Sequence, residues 1–209
     1  MNRSCSLLFL VTAAMPAMEQ LPASRDPDTL PSRTAVTVKL GYSRLADTSQ
    51  TLAGSDWSFD RSTIKLLAIE AETRVSRKIK DLTIGGEYLM TVIGFTETSG
   101  ASSDPKGSVY APGLFAKAKY YFGPEEGVRP YIGGGVGMMF AADFVGGGPI
   151  PSVAFGPSYL GGAGMQLRSR MVGFRLEYTG LRARLAGGGE RTNLSAHYIL
   201  AGLSVYFGQ

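Results

Sequence analysis

Apolar and polar residues alternate along most of this chain, and the alternation is clearest between Leu114 and Phe144. From Leu114 to Phe122 every second residue is apolar, whereas Lys117 and Lys119 fall on the opposite face. A period of two predicts a β-strand with two unlike faces. The sequence GPEEG then ends this strand in a tight turn, and a second strand, rich in glycine, follows it. The stretch therefore predicts a β-hairpin.

The apolar face of this hairpin ends in aromatic residues, Tyr120 and Phe122, close to the turn. A soluble sheet would turn its apolar face toward a core and its charged face toward water. Rings that band an apolar face are instead typical of a lipid–water interface. We therefore interpret the hairpin as one repeat of a transmembrane β-barrel.

The same alternation recurs along the chain and predicts eight strands, each long enough for the roughly 9–11 residues that a tilted strand needs to cross a bilayer. Long polar loops and tight turns alternate between them. In bacterial outer-membrane barrels the long loops are extracellular, and the short turns and both termini are periplasmic. The predicted fold class is thus all-β, an eight-stranded antiparallel transmembrane up-and-down β-barrel over residues 34–209. The predicted strands are Thr34–Leu45, Ser62–Val75, Leu82–Phe95, Leu114–Phe122, Tyr131–Phe144, Ser158–Arg168, Met171–Arg184 and Asn193–Gly208.

The N-terminal segment has the composition of a secretory signal peptide, predicted over residues 1–23. Arg3 supplies the positive charge and Leu7–Ala14 the apolar core, while small residues follow without fixing one cleavage site. Residues 24–33 are expected to form a short periplasmic lead-in. The one cysteine, Cys5, falls inside the signal, so the mature chain is expected to contain no cysteine and no disulfide.

Composition and charge exclude several further classes. No run of 18 apolar residues occurs, so no transmembrane helix is predicted. The net charge of +4 is spread along the chain without the basic clusters of a nucleic-acid surface, so no nucleic-acid partner is expected. Glycine contributes 28 of 209 residues, mostly inside alternating segments, where it suits the bends of a curved sheet. A single histidine without a second ligand gives no reason to expect a metal or another cofactor.

The last strand, HYILAGLSVYFG, has one apolar face that ends in an aromatic residue, Phe207. In this feature and in the hairpin KYYFGPEEGVRPYIGGGVG, the chain resembles the small outer-membrane barrels of the OmpA, OmpX and opacity type. The resemblance implies an integral protein of the Gram-negative outer membrane that contacts its lipids and lipopolysaccharide. It also implies that the barrel-assembly machinery reads Phe207 as an assembly signal. A monomer is expected, and the resemblance is silent on activity.

If the apolar face meets lipid, the opposite face lines the interior, which in eight strands is just wide enough for side chains to fill. Charges there must pair, because an unpaired buried charge is costly. The sequence therefore predicts a lumen charge network that plugs the barrel, with a narrow gated pore as the alternative, and it leaves the individual pairs open. The predicted members are Lys39, Glu70, Glu72, Arg74, Glu87, Lys117, Lys119, Arg168, Arg175 and Glu177, with the uncharged Gln166 on the same face.

His197 is the only histidine and so the first candidate for catalysis. An outer-membrane lipid A deacylase also has eight strands and uses a His-x-Ser pair, but Ile199 occupies the position of that serine here. No other Ser/His/acid arrangement is evident. We therefore assign no catalytic residue and expect that the protein is not an enzyme, with a lipid-modifying enzyme as the alternative.

Three arginines, Arg182, Arg184 and Arg191, cluster at the end of the seventh strand and in the loop that follows it. Guanidinium groups pair well with phosphates, so these residues are candidates for contacts with lipopolysaccharide. Ordinary solvation of a loop is the alternative. The sequence thus predicts a structural or surface-interaction role, with extracellular loops whose ligand it does not identify.

Overall fold

The computed structural model describes residues 34–46, 49–52, 55–59, 64–75, 81–97, 106–124, 127–143, 153–169, 171–187 and 190–208. The predicted signal peptide, residues 1–23, and the lead-in, residues 24–33, lie outside the described residues. In this part of the chain, no helix is both long and apolar enough to cross a membrane.

The described residues form ten β-strands. They are β1 (Thr34–Leu45), β2 (Ser49–Leu52), β3 (Ser55–Phe59), β4 (Ile64–Arg74), β5 (Leu82–Glu97), β6 (Lys106–Tyr121), β7 (Gly127–Asp143), β8 (Ala154–Ser169), β9 (Val172–Gly187) and β10 (Glu190–Phe207). Eight of them, β1 and β4 to β10, close into one antiparallel barrel in which β10 pairs with β1. This confirms the predicted fold class.

A row of paired residues does not return to its starting point when it is followed around the barrel. The row that begins at Ala35 passes through all eight strands and comes back to β1 at Leu45, ten residues further along. Such a stagger means that the strands are tilted by about 35–45° from the barrel axis. Side chains from strands that do not pair are therefore brought to the same level inside the barrel.

The two faces of the wall differ as the alternation predicts. On β9, Val172, Phe174, Leu176 and Tyr178 point outward and are between 43% and 54% exposed, and the residues between them are buried. Because an exposed apolar belt is unstable in water, this outer surface suits contact with lipid. We call the barrel end where β1 begins and β10 ends the terminal end, and the opposite end the loop end.

At the loop end the strands extend further than the sequence predicts. β6 begins at Lys106 rather than at Leu114. β9 continues to Gly187, and β10 already begins at Glu190. Most of the predicted loop LAGGGERTN is therefore strand. The first predicted loop contains the β2–β3 hairpin, and β3 pairs with the end of β5. The polar composition of these segments predicts loops. In the structure, the hydrogen-bonded pairing of the strands continues past the apolar belt toward the loop end, although the strands there carry no apolar outer face.

The excess of glycine has a steric reason on the inner face of the barrel. A Cβ added at Gly162 would lie 2.0 Å from the carbonyl oxygen of Tyr178, and one at Gly137 would lie 2.0 Å from that of Leu114. Neither distance leaves room for a carbon atom. A narrow, strongly curved barrel therefore requires glycine at these inward positions.

Candidate functional site

The interior of the barrel next to the terminal end is lined by charged side chains. The structure places every predicted member of the lumen charge network on the inner face, where all are buried except the half-buried Arg74. Eight of the ten meet in one group, which we call the central cluster. Its members are Lys39, Lys117, Lys119, Arg175, Glu70, Glu72, Glu87 and Glu177.

Two lysines share three carboxylates in the middle of the central cluster. Lys39 Nζ forms ion pairs with Glu70, with Glu87 at 2.6 Å and with Glu177 at 2.8 Å. Lys117 Nζ lies 3.0 Å from Glu87, 3.1 Å from Glu177 and 3.4 Å from Glu70. Each carboxylate thus faces more than one ammonium group, which is the arrangement that a buried charge requires.

Lys119 and Arg175 complete the central cluster on the side of the terminal end. Lys119 Nζ pairs with Glu70 and lies 3.6 Å from both Glu72 and Glu177. The Arg175 guanidinium pairs with Glu72 through Nη2 and lies 3.3 Å from Glu70 through Nη1. Four cations therefore face four carboxylates, and the central cluster is neutral.

Uncharged hydroxyl groups complete the hydrogen bonding of the central cluster. Tyr121 Oη donates to Glu72 at 2.9 Å, Tyr131 Oη donates to Glu177 at 2.9 Å, and Thr179 Oγ1 donates to Glu177 at 2.7 Å. These three residues are not among the predicted members of the lumen charge network, all of which are charged. The period of two nevertheless indicates that Tyr121 points into the barrel, since it follows the buried Lys119 by two residues on β6.

The remaining two predicted members, Arg74 and Arg168, lie on the inner face closer to the terminal end, near Ala35 and Tyr206. The Arg168 guanidinium lies over the Tyr206 ring, 4.0 Å from its centroid. A further buried cation, Arg129, pairs with Asp81 and lies 4.9 Å from the centroid of the Tyr121 ring. Arg129 is not predicted from the sequence, because the predicted strand begins at Tyr131, whereas β7 begins at Gly127.

The interior toward the loop end is mainly apolar, and the sequence does not predict this layer. The buried hydroxyl groups of Ser43, Thr91 and Ser158 also lie there. Leu89, Phe115, Met139, Leu181 and Leu200 are each no more than 1% exposed and belong to one buried cluster. Several of these residues lie on the same strand face as members of the central cluster. The alternation therefore predicts that they point into the barrel, but it does not predict their height along the barrel axis. The tilt of the strands separates a charged layer from an apolar layer above it.

His197 and the three arginines lie on the outer surface rather than in the interior. His197 Nδ1 and Tyr178 Oη lie 2.8 Å apart, and the two rings stack with centroids 5.8 Å apart. Arg182, Arg184 and Arg191 are exposed on β9 and β10, beyond the apolar belt, and we call them the outer arginine patch. They border two surface grooves of about 450 and 240 Å³.

The predicted assembly signal, Phe207, is the last residue of β10 and pairs with Thr34 at the terminal end. Among the described residues, no group of three or more His, Cys, Asp and Glu side chains is placed to hold a metal ion. The chemical groups that could serve a function are therefore the paired charges of the central cluster, inside the barrel, and the guanidinium groups of the outer arginine patch, on its surface.

No protein-family model matches the sequence, and no curated protein matches it. Among solved structures, the attachment invasion locus protein Ail of Yersinia pestis is similar over 84% of this chain and 99% of its own, with 15% identity and a TM-score of 0.50. Ail in complex with the heparin analogue sucrose octasulfate gives 15% identity over the same shares and a TM-score of 0.51. Neisserial surface protein A is 18% identical over 84% of this chain and 96% of its own, with a TM-score of 0.49. By its closed eight-stranded barrel and its apolar outer belt, this chain has the fold of the small eight-stranded outer-membrane β-barrels to which Ail belongs.

Proposed function

We propose that this protein is a plugged barrel with a structural and surface-interaction role, whose terminal end faces the periplasm and whose loop end faces outward. The observation that carries the proposal is the central cluster, in which four cations and four carboxylates, none more than 7% exposed, meet across the interior. Opening a path through it would separate buried ion pairs, at about 3–5 kcal/mol for each charge left without its partner. The barrel is therefore proposed to exclude solutes.

The apolar layer toward the loop end supports the same proposal. Leu89, Phe115 and Met139 are no more than 1% exposed there, so hydrocarbon fills most of this level of the interior. An ion that entered would exchange its hydration shell for hydrocarbon and a few uncharged hydroxyl groups. Two layers of different chemistry then oppose permeation, one charged and one apolar.

The loop end provides the surface-interaction part of the proposal. Among the described strands, β2 pairs with β3 alone and lies at the edge of the sheet. Open strand edges present unpaired backbone donors and acceptors, to which an extended segment of another protein can add. The loop end is therefore proposed to be the docking surface.

The outer arginine patch is proposed to contact the phosphates of lipopolysaccharide. Arg182 and Arg184 continue the outward face of β9 beyond Leu176 and Tyr178, which places guanidinium groups next to the apolar belt. Arginine pairs with phosphate through two parallel hydrogen bonds, and an apolar belt covers acyl chains. One lipid molecule can thus meet both surfaces.

The proposal includes no catalytic step. The hydrogen-bond partner of His197 is the phenol of Tyr178, and the residue two positions further on is Ile199, which has no hydroxyl to activate. A histidine and a tyrosine paired at the edge of an apolar belt fit the interfacial zone of a membrane protein.

Conductance in planar bilayers tests the proposal. The unmodified chain, refolded from residues 24–209, is expected to give no steady conductance. Combined Lys117→Ser and Glu87→Ser substitutions remove one pair that meets at 3.0 Å, preserve neutrality and are expected to raise conductance. Leu176→Met, on the outer face, is the matched control and should remain silent. A steady conductance from the unmodified protein would contradict the plug and favour the narrow pore.

The surface-interaction part needs a separate measurement. Deletion of residues 49–59 removes β2 and β3, and with them the β2 edge and the pairing of β3 with the end of β5. All eight strands of the closed barrel remain in the chain. In a binding screen on whole cells, unmodified protein is expected to retain partners that the deletion variant loses. Identical binding by the two proteins would remove the β2 edge from the proposed docking surface.

A further inference from the structure

His197 lies on the outer surface at the loop-end border of the apolar belt, next to the outer arginine patch. Its paired residue on β9 is Gly180, and Arg182 follows Gly180 by two residues on the same outer face. A row of pairs rises by ten residues over eight strands, which is 1.25 residues for each step. The step from β9 to β10 therefore brings His197 to within one residue of the level of Arg182.

The surface between His197 and Arg182 carries no side chain. The His197 ring lies beside Gly180, where an added Cβ would be 3.7 Å from Nδ1 and 3.9 Å from Cε1 of the ring. Arg182 and Ser195, which precedes His197 by two residues on β10, also line one of the two surface grooves. Diagonal neighbours on adjacent strands are about 7–8 Å apart, which long side chains can span. A ligand that contacts Arg182 can therefore also reach His197.

Tyr178 holds the His197 ring in one orientation. Its Oη lies 2.8 Å from Nδ1, and the two rings stack. Because a phenol hydroxyl both donates and accepts, this hydrogen bond can form with the neutral and with the protonated imidazole. Nε2 lies on the other edge of the ring and forms no hydrogen bond with a described residue. Its N–H group is therefore available to a ligand and keeps its place when the ring gains a proton.

The charged groups that face His197 from the neighbouring strands are positive. On β1 its paired residue is Arg44, with Tyr42 two residues before it, and on β9 its neighbours are Arg182 and Tyr178. Among the described side chains on the outer faces of β1, β9 and β10, none is a carboxylate. A proton added to His197 thus meets two guanidinium groups and no negative charge. A phosphate bound beside the ring would supply that charge, so phosphate binding and protonation favour each other.

We propose that protonated His197 and Arg182 bind the same lipid phosphate, so that the outer surface holds phosphate more tightly as the pH falls. The inference rests on the proposed contact between the outer arginine patch and lipid phosphates, and it adds one ligand and one proton to that contact. Imidazole groups exchange their proton between about pH 8 and 5. The protonated ring donates through Nε2 and Arg182 donates through its guanidinium, while the phosphate oxygens accept from both.

Solution NMR of the His197 ring tests the proposal, because the chain contains no other histidine and the Cε1–H signal is therefore unambiguous. The untagged chain, refolded from residues 24–209 in zwitterionic micelles, is titrated with acid with and without phosphatidylglycerol. This lipid is the probe because its phosphodiester keeps one negative charge throughout the titration. The lipid is expected to raise the midpoint of the His197 titration by about 0.5–1 pH unit. By linkage, the protein should then bind the lipid about threefold to tenfold more tightly at the acidic end of the titration than at the basic end.

Two variants that each remove one positive charge separate a shared phosphate from the surface potential of an anionic micelle. Arg182→Gln should lose the lipid-induced rise of the midpoint, because no guanidinium then holds the phosphate beside the ring. Arg44→Gln removes an exposed charge on the other side of His197, so it is the matched control and should keep the rise. His197→Gln should bind the lipid equally at both ends of the titration, with the affinity of the wild type at the basic end.

The outcomes distinguish this inference from the proposed function. If the wild type binds the lipid and the variant without the outer arginine patch does not, but the midpoint of His197 stays constant, the arginine contact stands and the role of His197 is wrong. An equal rise in Arg182→Gln and Arg44→Gln would also overturn the inference, since the surface potential alone would explain it. If the wild type binds no lipid at any pH, both proposals fail. All three substituted side chains are exposed, so the variants are expected to fold.

Discussion

Neutralising one carboxylate of the central cluster should destabilise the barrel more than its small change in shape implies. Glu177→Gln keeps the size of the side chain. Tyr131 and Thr179 donate to different oxygens of Glu177, at 2.9 and 2.7 Å, so the one amide oxygen of glutamine keeps an acceptor for only one of them. It removes the negative charge that faces Lys39 at 2.8 Å and Lys117 at 3.1 Å. The neutral central cluster then carries one uncompensated buried positive charge.

The magnitude follows from the number and burial of the partners. Breaking a buried ion pair by removing one partner costs about 3–5 kcal/mol, because the other charge remains without compensation. Lys39, Lys117 and Lys119 keep contacts with the remaining carboxylates Glu70, Glu72 and Glu87, and the amide oxygen keeps one of the two hydroxyl donors. We therefore expect the lower end of that range, about 3 kcal/mol.

Reversible urea unfolding in detergent micelles or lipid vesicles measures this free energy. The matched control is Arg184→Gln, which also changes one charge but is exposed on the outer face, and it should change stability by less than about 0.5 kcal/mol. Combining Glu177→Gln with Lys119→Met restores neutrality, since Lys119 lies 3.6 Å from Glu177. The double variant should be more stable than the sum of the two single changes predicts, by about 1–3 kcal/mol.

Two results would refute the reasoning. A loss of less than about 1 kcal/mol in Glu177→Gln would mean that water, rather than the three lysines, solvates this carboxylate. Additive effects in the double variant would mean that Lys119 and Glu177 do not share one network.

Three further substitutions test the wall, the glycine positions and the outer surface. Leu176→Arg should make the free energy of membrane insertion less favourable by about 2–4 kcal/mol if the residue lies near the bilayer midplane. Leu176→Met is the neutral control, and the yield of insertion into lipid vesicles measures the effect. Gly162→Ala should prevent assembly, because its Cβ would lie 2.0 Å from a backbone oxygen, whereas Gly161→Ala, with 3.9 Å to its nearest atom, should fold normally; equal yields would contradict the inward assignment. Replacing all three residues of the outer arginine patch with glutamine should release co-purified lipopolysaccharide, while the exposed Arg44→Gln should not, and phosphate analysis of the purified protein decides between them.

The faces of the wall and the number of strands could be predicted from the sequence, because they depend on local order. Alternation with a period of two assigns Lys117 and Lys119 to one face and Leu114 to the other whatever the remaining chain does. It also identifies Leu176 as lipid-facing and Glu177 as interior, and the structure places both there. The polar strand ends beyond the apolar belt have no apolar face that differs from a polar one. The sequence therefore predicts loops at Lys106 and Glu190, where the structure has strands.

The pairing of the charges was decided only by the tertiary structure. Lys39 and Glu177 are separated by 138 residues and meet at 2.8 Å. Their meeting depends on the stagger that carries Ala35 to the level of Leu45 around the ring, and no local pattern encodes that stagger. The same stagger separates the charged layer near the terminal end from the mainly apolar layer toward the loop end. The local alternation determines whether a side chain points into or out of the barrel. The tilt of the strands in the closed barrel determines which other side chains it contacts.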